Sequence, residues 1–172
     1  MLDYTAIRNP IVSGLYSKLQ RPVIRSDGDG DVPEYPYITL SITSPYLSPY
    51  GGDSERFERI SGITHSVKSE ATKHVELVIS FTVYSPDEDE ALNLCMKLIN
   101  HFNREERDNL RNAGIVVVSN TDVQNRSVVL VDHYERRLGV DFRFRVKDRY
   151  LSQVETIGTA IINSAEIKGE VI

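Results

Sequence analysis

The stretch from Leu138 to Lys147 constrains the fold more than any other. Leu138, Val140, Phe142, Phe144 and Val146 alternate with Gly139, Asp141, Arg143, Arg145 and Lys147. A period of two sends these sets to opposite sides of an extended chain, so the segment reads as a strand with one dry face and one wet face. A helix would scatter the five apolar residues around its circumference. The strand is read as starting near Tyr134, with Arg137 on the wet side and a bend at Gly139. Its dry side needs a covering layer, and the sequence supplies helices for that.

The clearest helix start is Ser85, Pro86, Asp87, Glu88. Ser85 is expected to cap, Pro86 to take the first helical position and Glu88 to reach back as a capping box. Over 86 to 102, Ala91, Leu92, Cys95, Leu98, Ile99 and Phe102 recur at three- and four-residue steps, while Asn93, Lys97 and Asn100 take the wet side; this helix packs on a sheet. Asn103 with Glu106 repeats the box and predicts a shorter helix through Leu110, ended by Gly114. Near the N-terminus, residues 3 to 20 carry Ile7, Ile11, Leu15 and Leu19 at four-residue steps, flanked by Val12 and Tyr16 and interrupted by Pro10.

Further strands are predicted over 37 to 43, where Ile38, Leu40 and Ile42 alternate with Thr39, Ser41 and Thr43, and over 75 to 84, where Val75, Leu77, Ile79, Phe81 and Val83 share a side. Ile115 to Val118 and Ser127 to His133 complete the set. Pro45, Pro49, Gly51 and Gly52 predict a loop over 44 to 56. The polar arm from Phe57 to Ala71 is paired with 75 to 84 as a projecting hairpin, 57 to 84. The segment 26 to 36 reads as a turn-rich loop, and the tail 154 to 172 leans towards β structure without a firm assignment.

With 172 residues, the chain suits one domain with a real core. Twenty Lys and Arg stand against 25 Asp and Glu, a formal net charge of −5, which argues against a protein that coats nucleic acid unaided. No run of 18 apolar residues and no apolar leader is present, so neither secretion nor membrane insertion is expected. The single cysteine, Cys95, reads as a small core residue. Asn125, Arg126 and Ser127 match a glycosylation acceptor, read as coincidence.

Motifs of chemistry are missing from the linear pattern. His65, His74, His101 and His133 fall on different predicted elements without metal-ligand spacing. Asp27, Asp29 and Asp31 imitate a calcium loop, yet Val32 and Ile38 occupy the places where Gly and Glu are needed. There is no GxSxG elbow and no GxxxxGK[ST] loop. No catalytic residue, cofactor site or metal site is therefore assigned, and the protein is expected not to be an enzyme. The basic residues of the last strand leave three readings open: a solvated face, a contact with an acidic protein, or a contact with DNA. Phe142 and Phe144 point away from the arginines, so they are core rather than base-stacking platforms. Arg137, Arg143, Arg145 and Lys147 are the candidates for partner docking, and reversal of Arg143 and Arg145 is expected to leave the domain folded.

In order and spacing, several segments resemble the neck and tail terminator proteins of long-tailed bacteriophages. They are the N-terminal helix, VIRSDGDGDVPEYPYITLSIT, HVELVISFTVYSPDEDEALNLCMKLINHF, GIVVV and RSVVLVDHYERRLGVDFRFRV. The resemblance implies an α/β (α+β) fold over 1 to 172, a mixed, mainly antiparallel sheet with helices packed on it. It implies a structural virion protein at the neck, assembled in the host cytoplasm as a homo-hexameric ring. Such a ring caps the tail tube, ends its polymerisation and joins it to head-completion or connector proteins, with sheath protein as a further neighbour and DNA passing through a channel. The alternatives are a head-completion protein, adaptor or stopper, of the same neck, and a soluble enzyme whose site is assembled from scattered residues.

Overall fold

In the computed structural model, Phe102 is fully buried among Phe81, Phe142 and Phe144, with ring centroids 5.3, 4.8 and 5.6 Å away. This cluster ties the helices to the sheet. The structure describes residues 1–48, 54–59, 66–129, 134–155, 159–162 and 165–168.

In chain order the elements are α1 (Tyr4–Leu19), β1 (Val23–Arg25), β2 (Tyr37–Leu47), β3 (Ser54–Arg59), β4 (Ser66–Ser85) and α2 (Glu88–Asn100). A π turn (His101–Glu105) leads into α3 (Arg107–Asn112). Then come β5 (Val116–Asn120), β6 (Gln124–Asn125), β7 (Val128–Val129), β8 (Tyr134–Glu155), β9 (Thr159–Ile162) and β10 (Ala165–Lys168). The main sheet runs β1, β2, β4, β8, β5, with β3 on β4 and β6 and β7 on β8. β1 runs parallel to β2; β2 and β3 pair with β4, and β5, β6 and β7 with β8, all antiparallel. The fold is thus of the mixed, mainly antiparallel α+β class that the resemblance implies.

The described chain groups into two units. The larger spans Asp3–Tyr50 and His74–Val146. Its core takes Ile7, Ile11, Leu15 and Leu19 from α1, Leu94, Cys95 and Leu98 from α2, and the alternating apolar sets of β4 and β8. The Asp3 carboxylate caps α1 by accepting from the backbone N–H groups of Thr5 and Ala6, and Pro10 is carried inside the helix. The smaller unit spans Met1–Leu2, Gly51–Lys73 and Lys147–Ile172. There β3 pairs with the first part of β4, Ser69 donates to Glu55 (2.6 Å), and β9 and β10 form an antiparallel hairpin. The β-leaning tail is therefore a hairpin over its described part.

Several local expectations are corrected. The cap of α2 is Asp87, whose carboxylate accepts from the Glu90 N–H at 2.7 Å. Ser85 accepts from the Asp87 N–H and donates to the Glu90 carboxylate at 2.7 Å, so the box closes through Glu90 rather than Glu88. An ionised acceptor one residue past Pro86 is the stronger cap. This start sets Leu94 inside and leaves Leu92 43% exposed. Asn103 caps nothing: it lies in the π turn and bonds Asn120 at 3.0 Å, and α3 begins without a side-chain cap. Gly114, at φ +78°, does take the left-handed position predicted for it.

Three β assignments also change. β2 runs through Pro45 to Leu47, because register shifts between Ile42 and Ser44 and between Ser44 and Leu47 absorb the proline's missing N–H. The hairpin arm pairs Ser54–Arg59 with Val67–Thr72, not with 75 to 84. The apolar 75 to 84 segment is instead held in the main sheet, where Tyr37 to Leu40 of β2 register with Tyr84 to Phe81. Of the expected strand over 127 to 133, Val128–Val129 form β7, and residues 130 to 133 lie outside the described residues.

Leu98 is fully buried in α2. Leu98→Ala should reduce the unfolding free energy by about 2 to 5 kcal/mol, measured by urea denaturation; an unchanged midpoint would remove Leu98 from the core.

Candidate functional site: the arginine face of the sheet

The same alternation that buries Val75 to Val83 and Leu138 to Val146 in the larger unit fixes the other face of β4 and β8. On β4 that face carries Glu76, Ser80, Thr82 and Tyr84; on β8 it carries Arg137, Gly139, Asp141, Arg143 and Arg145. Three polar groupings follow along the strands.

At one end, Glu76 is 2% exposed although it lies on the face away from the apolar core. Two guanidinium groups neutralise it. Arg145 donates from Nη2 to Glu76 Oε1 at 2.9 Å and from Nε at 3.2 Å, and Arg143 Nη1 stands 3.6 Å from Oε2. Stripping a buried carboxylate of its cations typically costs about 3 to 5 kcal/mol. Arg143 and Arg145 are therefore anchored groups, and their joint reversal would oppose three carboxylates rather than leave the fold untouched. Arg143 remains the more open of the two, its side chain 48% exposed against 31%.

At the other end, Arg137 pairs with the buried Glu135 and lies over the Tyr84 ring at 5.1 Å. The Tyr84 ring stacks on Tyr37, centroids 4.7 Å apart, and Tyr37 on Tyr35, whose hydroxyl donates to Glu135. That hydrogen bond to a carboxylate, with burial, pushes the Tyr35 pKa up to about 12. Lys147, the fourth predicted docking residue, is exposed and belongs to the smaller unit.

Between these ends lies a group that the sequence reading missed. Arg126 reaches from beside β8 across Gly139 to β4, donating to Ser80 at 2.7 Å, to Thr82 at 3.2 Å and to Asp141 at 2.9 Å. Ser80 also donates to Asp141 at 2.5 Å. A Cβ at position 139 would overlap the Arg126 guanidinium. Gly139 is thus no bend: β8 is continuous there, paired with Gln124, and the missing side chain is the space the arginine fills. The available signal was an isolated glycine within a strict alternation, which suggests a bulge or a close approach.

Among the described residues no group of three or more His, Cys, Asp or Glu could hold a metal ion, and no described helix is long and apolar enough to cross a membrane. Burial pushes the Cys95 thiol up to about 11, so it stays protonated at neutral pH. What the site offers is a set of positioned cations on a polar sheet face.

The family of phage neck terminator proteins matches residues 5–170, nearly the whole chain. The chain belongs to that family. Phage neck terminators are structural proteins of the virion neck. No curated protein matches the chain. Among solved structures, a chain from the virion of a native gene transfer agent particle is similar at 14% identity, over 84% of this chain and 91% of that one, with a TM-score of 0.31.

Two measurements test the terminator's central polar group. Gly139→Ala in an ordinary strand would gain about 0.5 to 1 kcal/mol; here it should lose about 1 to 3 kcal/mol by displacing a charged hydrogen-bond donor. In an Arg126→Ala background the same change should become neutral or favourable, and additive effects in this cycle would contradict the crossing of Arg126 over Gly139. Asp141 gives a pH test. Its burial raises the pKa, but the hydrogen bonds from Ser80 and Arg126 and the guanidinium charge outweigh that and leave it lowered. Its contribution is thus present above the unfolded value of about 3.9 and lost as pH falls through the lower folded value. Asp141→Asn should cost stability at neutral pH and flatten the acid-induced loss below about pH 4, followed by denaturation midpoints across pH.

Proposed function

We propose that this terminator closes into a homo-hexameric ring that caps the tail tube, ends its polymerisation and joins it to a head-completion or connector protein, with DNA passing through the ring. Membership of the phage neck terminator family supports the neck role. The observation that carries the docking role is the anchoring of half-exposed Arg143 and Arg145 on buried Glu76. Cations fixed in direction steer and orient an acidic protein surface better than they add raw affinity. The net charge of −5 disfavours a tight grip on DNA in transit. Arg137, Arg143, Arg145 and Lys147 are assigned to contact with a ring neighbour or an adjoining neck or tail protein.

The hairpin of β3 and β4 is assigned to the same assembly. Its tip, 60 to 65, lies outside the described residues, and the expected tip at 65 to 73 falls mostly on the paired β4 strand. A deletion that tests the hairpin therefore removes 60 to 65 and spares the ladder.

Arg143→Gln combined with Lys147→Glu spares the direct Arg145 bonds to Glu76. The variant should unfold within about 1 kcal/mol of the parent, as surface changes do, while capping purified tail tubes more slowly and with weaker salt dependence. Electron microscopy of the capped tubes should show sixfold rings for the parent. Rings of another order would overturn the hexamer. Normal capping with leaking or trapped DNA would move these residues to the channel.

A further inference from the structure

Among the described strands of the main sheet, β5 is an edge without the usual protection. The strand order ends at β1 on one side and at β5 on the other, with β3 flanking β4. Unpaired edges recruit further strands, and short length or charged residues normally guard them. β1 has only three residues, and its Arg25 pairs with Asp27 at 2.8 Å. β3 carries Glu55, Arg56, Glu58 and Arg59. β5, Val-Val-Val-Ser-Asn, has neither charge nor proline, and Val118, Ser119 and Asn120 are exposed. A register shift lifts Val118 out of the β8 ladder, but Asn120 is back in register opposite Phe142. Beside it the Thr121 N–H donates to the Asp141 carbonyl at 2.9 Å. This pattern makes Asn120 and Phe142 a non-hydrogen-bonded pair, so the N–H and C=O of Asn120 point away from β8.

The tail of the chain supplies strands without a sheet. Among the described residues β9 and β10, four residues each, pair only with one another, and an isolated two-stranded hairpin is at best marginally stable in water. The two strands differ as a docking strand and a new edge should. β9, Thr-Ala-Ile-Ile, is uncharged, whereas β10, Ala-Glu-Ile-Lys, carries Glu166 and Lys168. Added through β9, the hairpin would cover β5 and leave the charged β10 as the outer, guarded edge.

Chain length selects the donor. β8 runs unbroken to Glu155, ten residues beyond Arg145, the partner of Val116. Those ten residues span about 33 Å of strand. The seven from Glu155 to Ile162 reach at most about 25 Å, so β9 falls short of the β5 of its own chain. We propose that β9 of one copy pairs along β5 of a second copy, continuing the sheet from subunit to subunit. Donor and acceptor are different parts of the chain, so the contact is heterologous, and its repetition closes a ring or runs on as a filament. The proposal rests on the ring reading for the identity of the neighbour, and it names the joint between subunits.

The test uses two full-length variants and sedimentation velocity. Asn120→Pro blocks the acceptor by removing an N–H that β8 does not use, and Ile161→Pro blocks the donor, because proline cannot sit within a paired strand. The parent should associate beyond a dimer. Each variant alone should stay monomeric with a native circular dichroism spectrum, its self-association weakened at least about tenfold. Mixed in equal amounts, the two should form a heterodimer and nothing larger, since one intact donor and one intact acceptor make a single joint. Val118→Lys, an exposed edge charge, serves as acceptor block if Asn120→Pro fails to fold. A parent that is monomeric up to about 1 mM, where even very weak contacts register, would overturn the proposal. So would a variant that associates like the parent, or a mixture without heterodimer. Heterodimers from the mixture together with parent rings of another order than six would keep the joint and reject only the hexamer.

Discussion

The burial of Phe102 against both central strands is the contact on which the two faces of the sheet depend. Its ring meets Phe81 of β4 and Phe142 and Phe144 of β8, and aromatic pairs of this kind contribute roughly 0.5 to 1.5 kcal/mol each beyond the area they bury. More than energy is at stake, because a period of two couples the faces. A one-residue slip of β8 would carry Arg143 and Arg145 into the core and Phe142 and Phe144 out of it. The aromatic cluster makes that slip prohibitive. The dry face therefore sets where every cation of the wet face points, and the Glu76, Asp141 and Glu135 pairings can form only in that register.

The π turn belongs to the same constraint. The Glu106 N–H bonds back five residues to the His101 carbonyl at 2.9 Å, and the wider turn buries His101 and Phe102 side by side. Phe102 goes to the sheet. His101 is left facing Gly14 of α1, its nitrogens without hydrogen-bond partners. Single-turn π insertions of this sort are rare, and here the insertion serves the core contact.

Much of the fold was legible because its strongest signals are periodic and local. The stripe Ile7, Ile11, Leu15 and Leu19 and the alternations of 75 to 83 and 138 to 146 are all buried as their spacing requires. What was not legible depends on partners distant in sequence. Pro45 rules out a regular ladder but not a bulged one, and only the β2 and β4 register shows which applies. Leu92 and Leu94 both suit an amphipathic helix until the Asp87 cap fixes its phase. The polar arm of the hairpin was matched to the wrong stretch of β4 because pairing is set by where the main sheet ends. In the site, the wet-face position of Arg143 and Arg145 follows from alternation, whereas their tether is Glu76, 67 and 69 residues earlier. Arg126 was hidden by more: its partners are spread over Ser80, Thr82 and Asp141, and its path exists only because position 139 has no side chain.

Tethering changes what an arginine can do in an assembly. A free guanidinium on a flexible stem carries about 2 kcal/mol of rotamer entropy, and a contact that freezes it loses much of its gain. Arg145, fixed on Glu76 by two hydrogen bonds, has lost that freedom on folding. A contact of the kind proposed for this face would therefore freeze little further freedom at Arg145. The buried carboxylate carries a cost of its own, since an apolar residue of similar volume in its place is often as stable or more so. That cost has a rationale if the proposed docking holds: Glu76 fixes the direction in which two cations point. On a chain that is acidic overall, one fixed positive face distinguishes a single orientation of approach. A structure that must join its neighbours in one polarity needs that distinction more than it needs a tighter core.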